Sequence, residues 1–290
     1  MHDVCDAIRD LSSGRSGGYD GLDAEHFKFA GHSCVIHLSL CFTMMLKHSH
    51  LPNGLTKVLL IPILKDKTGN ISDKDNYRPI ALASVSSKIL ETTILNRSRD
   101  CLQTSDHQFG FKPGHSTDMA IYAVKEIVDY FVRNNSPVFL CFLDAKKAFD
   151  RVNHWKLFDK LLRNGMDLRI VKLLVAWYST QLFHVQWGNV LSDGFTVSNG
   201  VRQGGILSPF LYNLYTNSLS AALDDTGVGC HYLGSVNHVA YADDMILLAP
   251  TPFGLQTLLD TFYRFSIEHD IMYNTKKLYA WLCVRKCLRK

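Results

Sequence analysis

Three carboxylates stand out by their setting. Asp144 ends an apolar run, Val138 to Leu143, that reads as a buried strand. Asp243 and Asp244 lie between two strand-like runs, His231 to Ala240 and Met245 to Ala249, so the pair falls at the tip of a hairpin. If these strands are neighbours in one sheet, the three acids converge. Hard divalent cations such as Mg²⁺ take oxygen ligands, often one or two carboxylates plus substrate phosphates. Two such ions about 4 Å apart can activate an attacking oxygen and stabilise a leaving one in phosphoryl transfer. An isolated Asp-Asp pair is more often an ordinary turn, so the surrounding chain has to decide.

The elements that would position these acids follow from periodicity and breakers. Residues 1–50 read as helical packing structure with a Gly- and Ser-rich loop at Ser12 to Asp23. Leu55 to Leu64 is strand-like, and Lys65 to Asn76 is a charged turn. Ala81 to Asp100 reads as helix, with Val85, Ile89 and Ile94 on one stripe. Pro113 and Gly114 mark a turn. The next helix starts after Ser116 or Thr117 and repeats Ile121, Val124, Val128 and Phe131 on one face. Helices over His154 to Arg163 and Asp167 to Phe183 precede paired strands, Val185 to Trp187 and Phe195 to Val197. Ser208-Pro209 opens a helix to about Leu223, and Thr251-Pro252 opens one through Glu268. Short strands near Ile271 to Tyr273 and Leu278 to Leu282 follow.

Composition narrows the class. The 290 residues are 47% hydrophobic and 20% charged, ordinary for a folded globular chain of one large domain or two small ones. No run of 18 apolar residues exists, and the start at Met1-His2-Asp3 is not a signal or transit peptide. The expectation is an intracellular protein of nucleus or cytoplasm, without a membrane partner. The net charge of +4 permits nucleic-acid binding without arguing for it. Eight scattered cysteines do not make a disulfide scaffold, and the one close pair, Cys283 and Cys287, lacks companions for a zinc site. The thirteen histidines show no metal-binding spacing.

Motifs around the carboxylates change their meaning. The run Phe142-Leu143-Asp144-Ala145-Lys146-Lys147-Ala148-Phe149-Asp150 resembles the first catalytic motif of reverse transcriptases. Tyr241-Ala242-Asp243-Asp244 resembles their second aspartate-bearing motif. Between them, Asn199-Gly200-Val201-Arg202-Gln203-Gly204-Gly205-Ile206-Leu207-Ser208-Pro209 resembles their template- and nucleotide-contacting motif. Asn76 to Leu82 and Gln108 to Thr117 resemble the two fingers motifs, and Tyr273 to Lys277 the motif after the palm helix. The six motifs stand in the family's order, and their wording is nearest to non-LTR (LINE-like) retrotransposons.

The resemblance implies an α+β right-hand polymerase fold: an antiparallel palm sheet backed by helices, plus a fingers subdomain. It divides the chain into an N-terminal helical extension of the fingers (1–54), fingers (55–137) and palm (138–290), with the thumb absent, as if truncated before it. It implies an RNA-directed DNA polymerase that joins a primer 3′-hydroxyl to the α-phosphate of a dNTP on an RNA template. Asp144, Asp243 and Asp244 would be the catalytic residues and the ligands of two Mg²⁺ ions, for which Mn²⁺ can substitute. Cations must meet the triphosphate, a role the resemblance gives to Arg78, with Lys65 from the charged turn as a second.

Phe149, five residues after Asp144, would exclude a 2′-hydroxyl. Gln203 and Gly204 would lie against the incoming nucleotide and template. Lys277, or Lys276, would donate a proton to pyrophosphate, and Tyr241 would shape the primer site. One departure is Leu278, where the family usually has Ser or Thr. Two rivals stand beside this reading. One is a catalytically inactive, nucleic-acid-binding retrotransposon relic. The other is a different palm enzyme using NTPs, against which Phe149 and the fingers motifs argue.

Overall fold

The computed structural model describes residues 1–232, 234–274 and 279–284. In chain order its helices are α1 (His2–Arg9), α2 (Ala24–Phe29), α3 (His32–His48), α4 (Asn53–Thr56), α5 (Val85–Arg97), α6 (Thr117–Arg133), α7 (His154–Arg163), α8 (Leu168–Thr180), α9 (Ser208–Asp224) and α10 (Pro252–Glu268). Its strands are β1 (Lys57–Leu64), β2 (Tyr77–Ala83), β3 (Val138–Lys146), β4 (Leu182–Trp187), β5 (Val190–Leu191), β6 (Cys230–His231), β7 (Ser235–Val236), β8 (His238–Tyr241), β9 (Asp244–Ala249), β10 (Met272–Tyr273) and β11 (Tyr279–Cys283). No helix among the described residues is long and apolar enough to cross a membrane. Two compact units form, Met1–Leu102 with Asn153–Ser208 and Gln103–Val152 with Pro209–Lys290. Both are discontinuous in sequence.

The first unit is built on a four-stranded sheet in the order β2-β1-β4-β5. β1 and β2 are antiparallel from Val58↔Ala83 to Leu64↔Tyr77, and β1 runs parallel to β4. Val58 and Ala81 are buried against Phe183 with Leu60 beside them, while Arg78 is exposed. The helix expected from Ala81 begins later. Arg78 precedes Pro79, which biases it to extended backbone, and a proline is tolerated on an edge strand such as β2. Ser84 then caps α5, its Oγ accepting the Ser87 N–H at 3.2 Å. Helix α8 likewise stops at Thr180, so Phe183 lies in a strand and not in the helix expected to reach it. The antiparallel partner of β4 is β5, and Phe195 meets Phe183 through an isolated bridge and a ring stack with centroids 6.1 Å apart.

The second unit centres on β3. β9 pairs with it from Phe139↔Ala249 to Asp144↔Asp244, and β8 lies beyond β9. On the other side of β3, β11 pairs along Val138 to Phe142, and β10 pairs at Ala145 and Lys146. The expected caps form: Ser116 Oγ accepts the Met119 N–H and Thr251 Oγ1 the Gly254 N–H. Each such cap stabilises its helix by about 1 kcal/mol. Helix α6 buries Ala120 and Ile127 against Val138, Leu140, Val239 and Leu248. Ile121, expected on the inward stripe, is exposed. It lies about 100° around the helix from Ala120, whose face is the one that packs.

Behind β8 sits a cluster that sequence spacing did not flag. The ligand atoms of His107, Asp224 and His238 lie within 4.8 Å of one another. Both ring nitrogens of His238 already have protein partners, the Asn237 side chain and Ser220 Oγ. Burial, with the neighbouring His107, holds His238 down at about 3. The unfolded chain therefore binds a proton between pH 6.5 and 3 that the folded chain does not, so stability falls as pH falls through that window. Urea unfolding should lose about 1.4 kcal/mol per pH unit from this group between pH 6 and 5. His238→Gln should flatten that slope, and an unchanged slope would exclude His238 as its source.

Candidate active site

The three carboxylates gather at one end of the second unit's sheet. Asp144 and Asp244 are direct cross-strand partners on β3 and β9, a pairing that sets Cβ atoms about 5 Å apart on one face. Asp243 follows within a two-residue turn, Ala242-Asp243, closed by the Tyr241↔Asp244 pair. Ala242 has a positive φ of 58°. Two-residue hairpin turns favour glycine at such a position, and an alanine there costs roughly 1–2 kcal/mol.

The surroundings are apolar and aromatic. Tyr212, buried on α9, is pushed well above its ordinary value by burial and then by Tyr273, Asp243 and Asp244. Tyr273 is raised by burial and Asp243. Both phenols are therefore protonated and stand within electrostatic reach of the turn. Phe149 stacks on Tyr212, with ring centroids 5.1 Å apart. Asn274 donates its backbone N–H to Asp144 O at 2.8 Å, and its side-chain amide approaches Asp144 Oδ2 at 3.4 Å. A groove of about 340 Å³ runs beside Asp144 and Asp244, lined by Tyr241, Phe142, Ile246 and Ile121. A set of carboxylate oxygens with a shared face fits a hard divalent cation, which prefers oxygen donors.

The nucleotide-contacting candidates of the first unit all border the β1–β2 hairpin. Lys65 follows β1 and donates its Nζ to Asp75 O at 2.7 Å. Arg78 pairs with Ile63 across the same hairpin. Gln203 and Gly204 lie against β2 three residues further on, where Ala81 donates its N–H to Gln203 O at 2.6 Å. Gly204 has φ 105°, and a Cβ there would come within 2.9 Å of Ala81 O. The glycine is thus required by both conformation and space.

Sequence reading missed what holds this loop. Glu91 on α5 is 1% exposed and pairs with Arg202, which is 6% exposed. The same carboxylate accepts the N–H groups of Ile206 and Leu207. Arg202 lies over the Trp177 ring at 4.9 Å, and burial lowers its guanidinium to about 10, still protonated at neutral pH. His154, kept neutral by burial, bonds Gly200 O at 2.7 Å from the other end. A glutamate in the otherwise buried stripe of α5 was the available signal. Lys277 and Cys287 lie outside the described residues.

A family model described as reverse transcriptase (RNA-dependent DNA polymerase) matches residues 63–287. The chain belongs to the reverse transcriptase family. It is 27% identical over 291 aligned positions to the RNA-directed DNA polymerase from mobile element jockey of Drosophila funebris, covering 96% of this chain and 31% of that protein. It is 26% identical to the retrovirus-related Pol polyprotein from type-2 retrotransposable element R2DM of Drosophila melanogaster, covering 93% of this chain and 25% of that one. These relatives belong to non-LTR retrotransposons, the group to which the motifs pointed. The chain thus spans about a third or less of the length of such relatives. Among solved structures, apo telomerase from Candida tropicalis superposes with a TM-score of 0.56 at 15% identity, covering 86% of this chain and 55% of that one. The α+β right-hand polymerase fold expected from the motifs is therefore the fold of this chain.

Proposed function

We propose that the chain is the fingers and palm of an RNA-directed DNA polymerase, extending a DNA primer with dNTPs on an RNA template. The observation that carries this is the direct pairing of Asp144 with Asp244 beside the Ala242-Asp243 turn, within a chain of the reverse transcriptase family. Asp144 and Asp243 are the main ligands for two Mg²⁺ ions, and Asp244 is a third carboxylate. Bound there, the ions supply charge neutralisation at the triphosphate and a more acidic primer hydroxyl.

The chain's own residues do the rest. Asp144 and Asp243 orient the reacting end. Arg78 and Lys65 take the charge of the β- and γ-phosphates, and Lys277 is the candidate proton donor to the leaving pyrophosphate. Gln203 and Gly204 let the backbone approach the base pair, and Tyr241 shapes the primer site. Phe149, held by its stack on Tyr212, sits against the sugar.

Mg²⁺-dependent extension of a DNA primer on an RNA template, measured with folded chain at high concentration, tests the proposal. Salt-sensitive RNA or DNA binding with no nucleotide incorporation would replace it with a non-catalytic binding role. The gate has its own test. Phe149→Ala should cut discrimination against ribonucleotides by at least about tenfold, read as the ratio of dNTP to NTP incorporation efficiency. An unchanged ratio would remove Phe149 from that role.

A further inference from the structure

We propose that Gln108 is a positioning residue for the catalytic hairpin, its buried carboxamide gripping both backbone polar atoms of Ala242 and so fixing the turn that presents Asp243 and Asp244. This rests on the polymerase reading of the site for its effect on turnover, but not for the contact itself. Gln108 Oε1 accepts the Ala242 N–H at 2.8 Å, and Gln108 Nε2 donates to Ala242 O at 3.2 Å. The same Oε1 accepts the Gly110 N–H at 2.8 Å.

The grip has a fixed base. Residues 107–109 run beside β8, with Ala240 N–H donating to His107 O and Phe109 N–H to Ala240 O, each at 2.8 Å. Gln108 itself is 6% exposed. Gly110 completes the fit: a Cβ there would come within 2.4 Å of Ala242 N. Asn213 on α9 in turn donates its amide to Gly110 O at 2.8 Å.

The chemistry selects the side chain. Ala242 holds φ 58° without being glycine, so the turn needs an external tie. That tie must accept from one backbone atom and donate to another of the same residue. A carboxamide does both. A carboxylate cannot donate to the Ala242 carbonyl, and an apolar side chain of the same length can do neither. Because the turn is only two residues long, any relaxation of Ala242 moves the neighbouring Asp243 directly.

The test uses the full chain with Gln108→Met, Ala242→Gly and the double variant. Gln108→Met should lower kcat about 100-fold, since a displacement of about 1 Å suffices for that, while KM for dNTP stays within about threefold because the triphosphate contacts are elsewhere. Mn²⁺ binding, followed by electron paramagnetic resonance, should weaken in parallel. Ala242→Gly placed on Gln108→Met should restore most of both, because glycine takes the positive φ without a tie. A merely structural Gln108 would lower Tm and leave kcat and Mn²⁺ affinity intact below it. Wild-type turnover and Mn²⁺ affinity in Gln108→Met, or a loss that glycine does not repair, would overturn the proposal. A wild-type chain that neither extends primers nor binds Mn²⁺ would instead sink the polymerase reading. The Ala242 amide then decides the brace: slow hydrogen exchange in wild type and fast exchange in Gln108→Met support it, and equal exchange overturns it.

Discussion

Asp243→Asn is expected to reduce primer extension by about 10³-fold or more, because preorganised charge at the transferring phosphoryl group contributes most to such catalysis. The substitution keeps size and shape and removes only the charge. Asparagine tolerates turn backbone as well as aspartate does, and Gln108 holds the turn through Ala242. The fold should therefore persist. With Asp144 and Asp244 still paired across β3 and β9, removing one of three clustered negative charges relieves repulsion in metal-free protein. Tm without metal is expected to stay the same or rise while activity disappears. Primer extension at saturating Mg²⁺, alongside thermal unfolding in a chelator, separates the two effects. Residual activity above about a tenth of wild type would remove Asp243 from the chemistry, given the size of loss such groups produce.

Glu91→Gln is expected to destabilise the first unit by about 3–5 kcal/mol. Its carboxylate is the common acceptor for Arg202 and for the N–H groups of Ile206 and Leu207. The amide is the same size but cannot neutralise Arg202, which is 6% exposed and stays protonated at neutral pH. A buried charge is thus left without its partner. The amide NH₂ also offers a donor where two backbone donors already point.

Removing both charges has a different outcome. The double variant Glu91→Leu, Arg202→Met should regain part of the loss, since an apolar pair of similar volume escapes the cost of an unpaired charge. It does not restore acceptors for Ile206 and Leu207, so recovery stays incomplete. Urea unfolding of wild type, Glu91→Gln and the double variant reads both outcomes. A loss below about 1 kcal/mol in Glu91→Gln would mean that the pair contributes no more than an exposed one.

Local patterns were legible where one residue type has one structural consequence. Ser116 and Thr251 cap the helices they precede. The Val138 to Leu143 run lies within β3, and the Asp pair does sit beside a hairpin turn. Patterns failed where a neighbour overrides periodicity. Ala81 continues a helical stripe on paper, but Pro79 and the partner strand β1 draw it into β2. Ile121 matches the stripe of α6, but the smaller Ala120 lets the sheet approach on an adjacent face. His107 and His238 are far apart in the chain, so their ring contact at 4.5 Å has no local trace.

The sequence by itself determined the family, the order of motifs and the identity of the acids, because carboxylates at a hairpin tip and at the end of an apolar run are recognisable one segment at a time. Only the tertiary structure decided that Asp144 stands opposite Asp244 and that Gln108, one of the motif's less conspicuous residues, holds the Ala242 turn. It also decided that Glu91 carries the loop of Gln203 and Gly204. The physical reason is the same in each case. Strand register and buried hydrogen bonds join residues that lie far apart along the chain. Their strength comes from exclusion of water, which no single segment can provide.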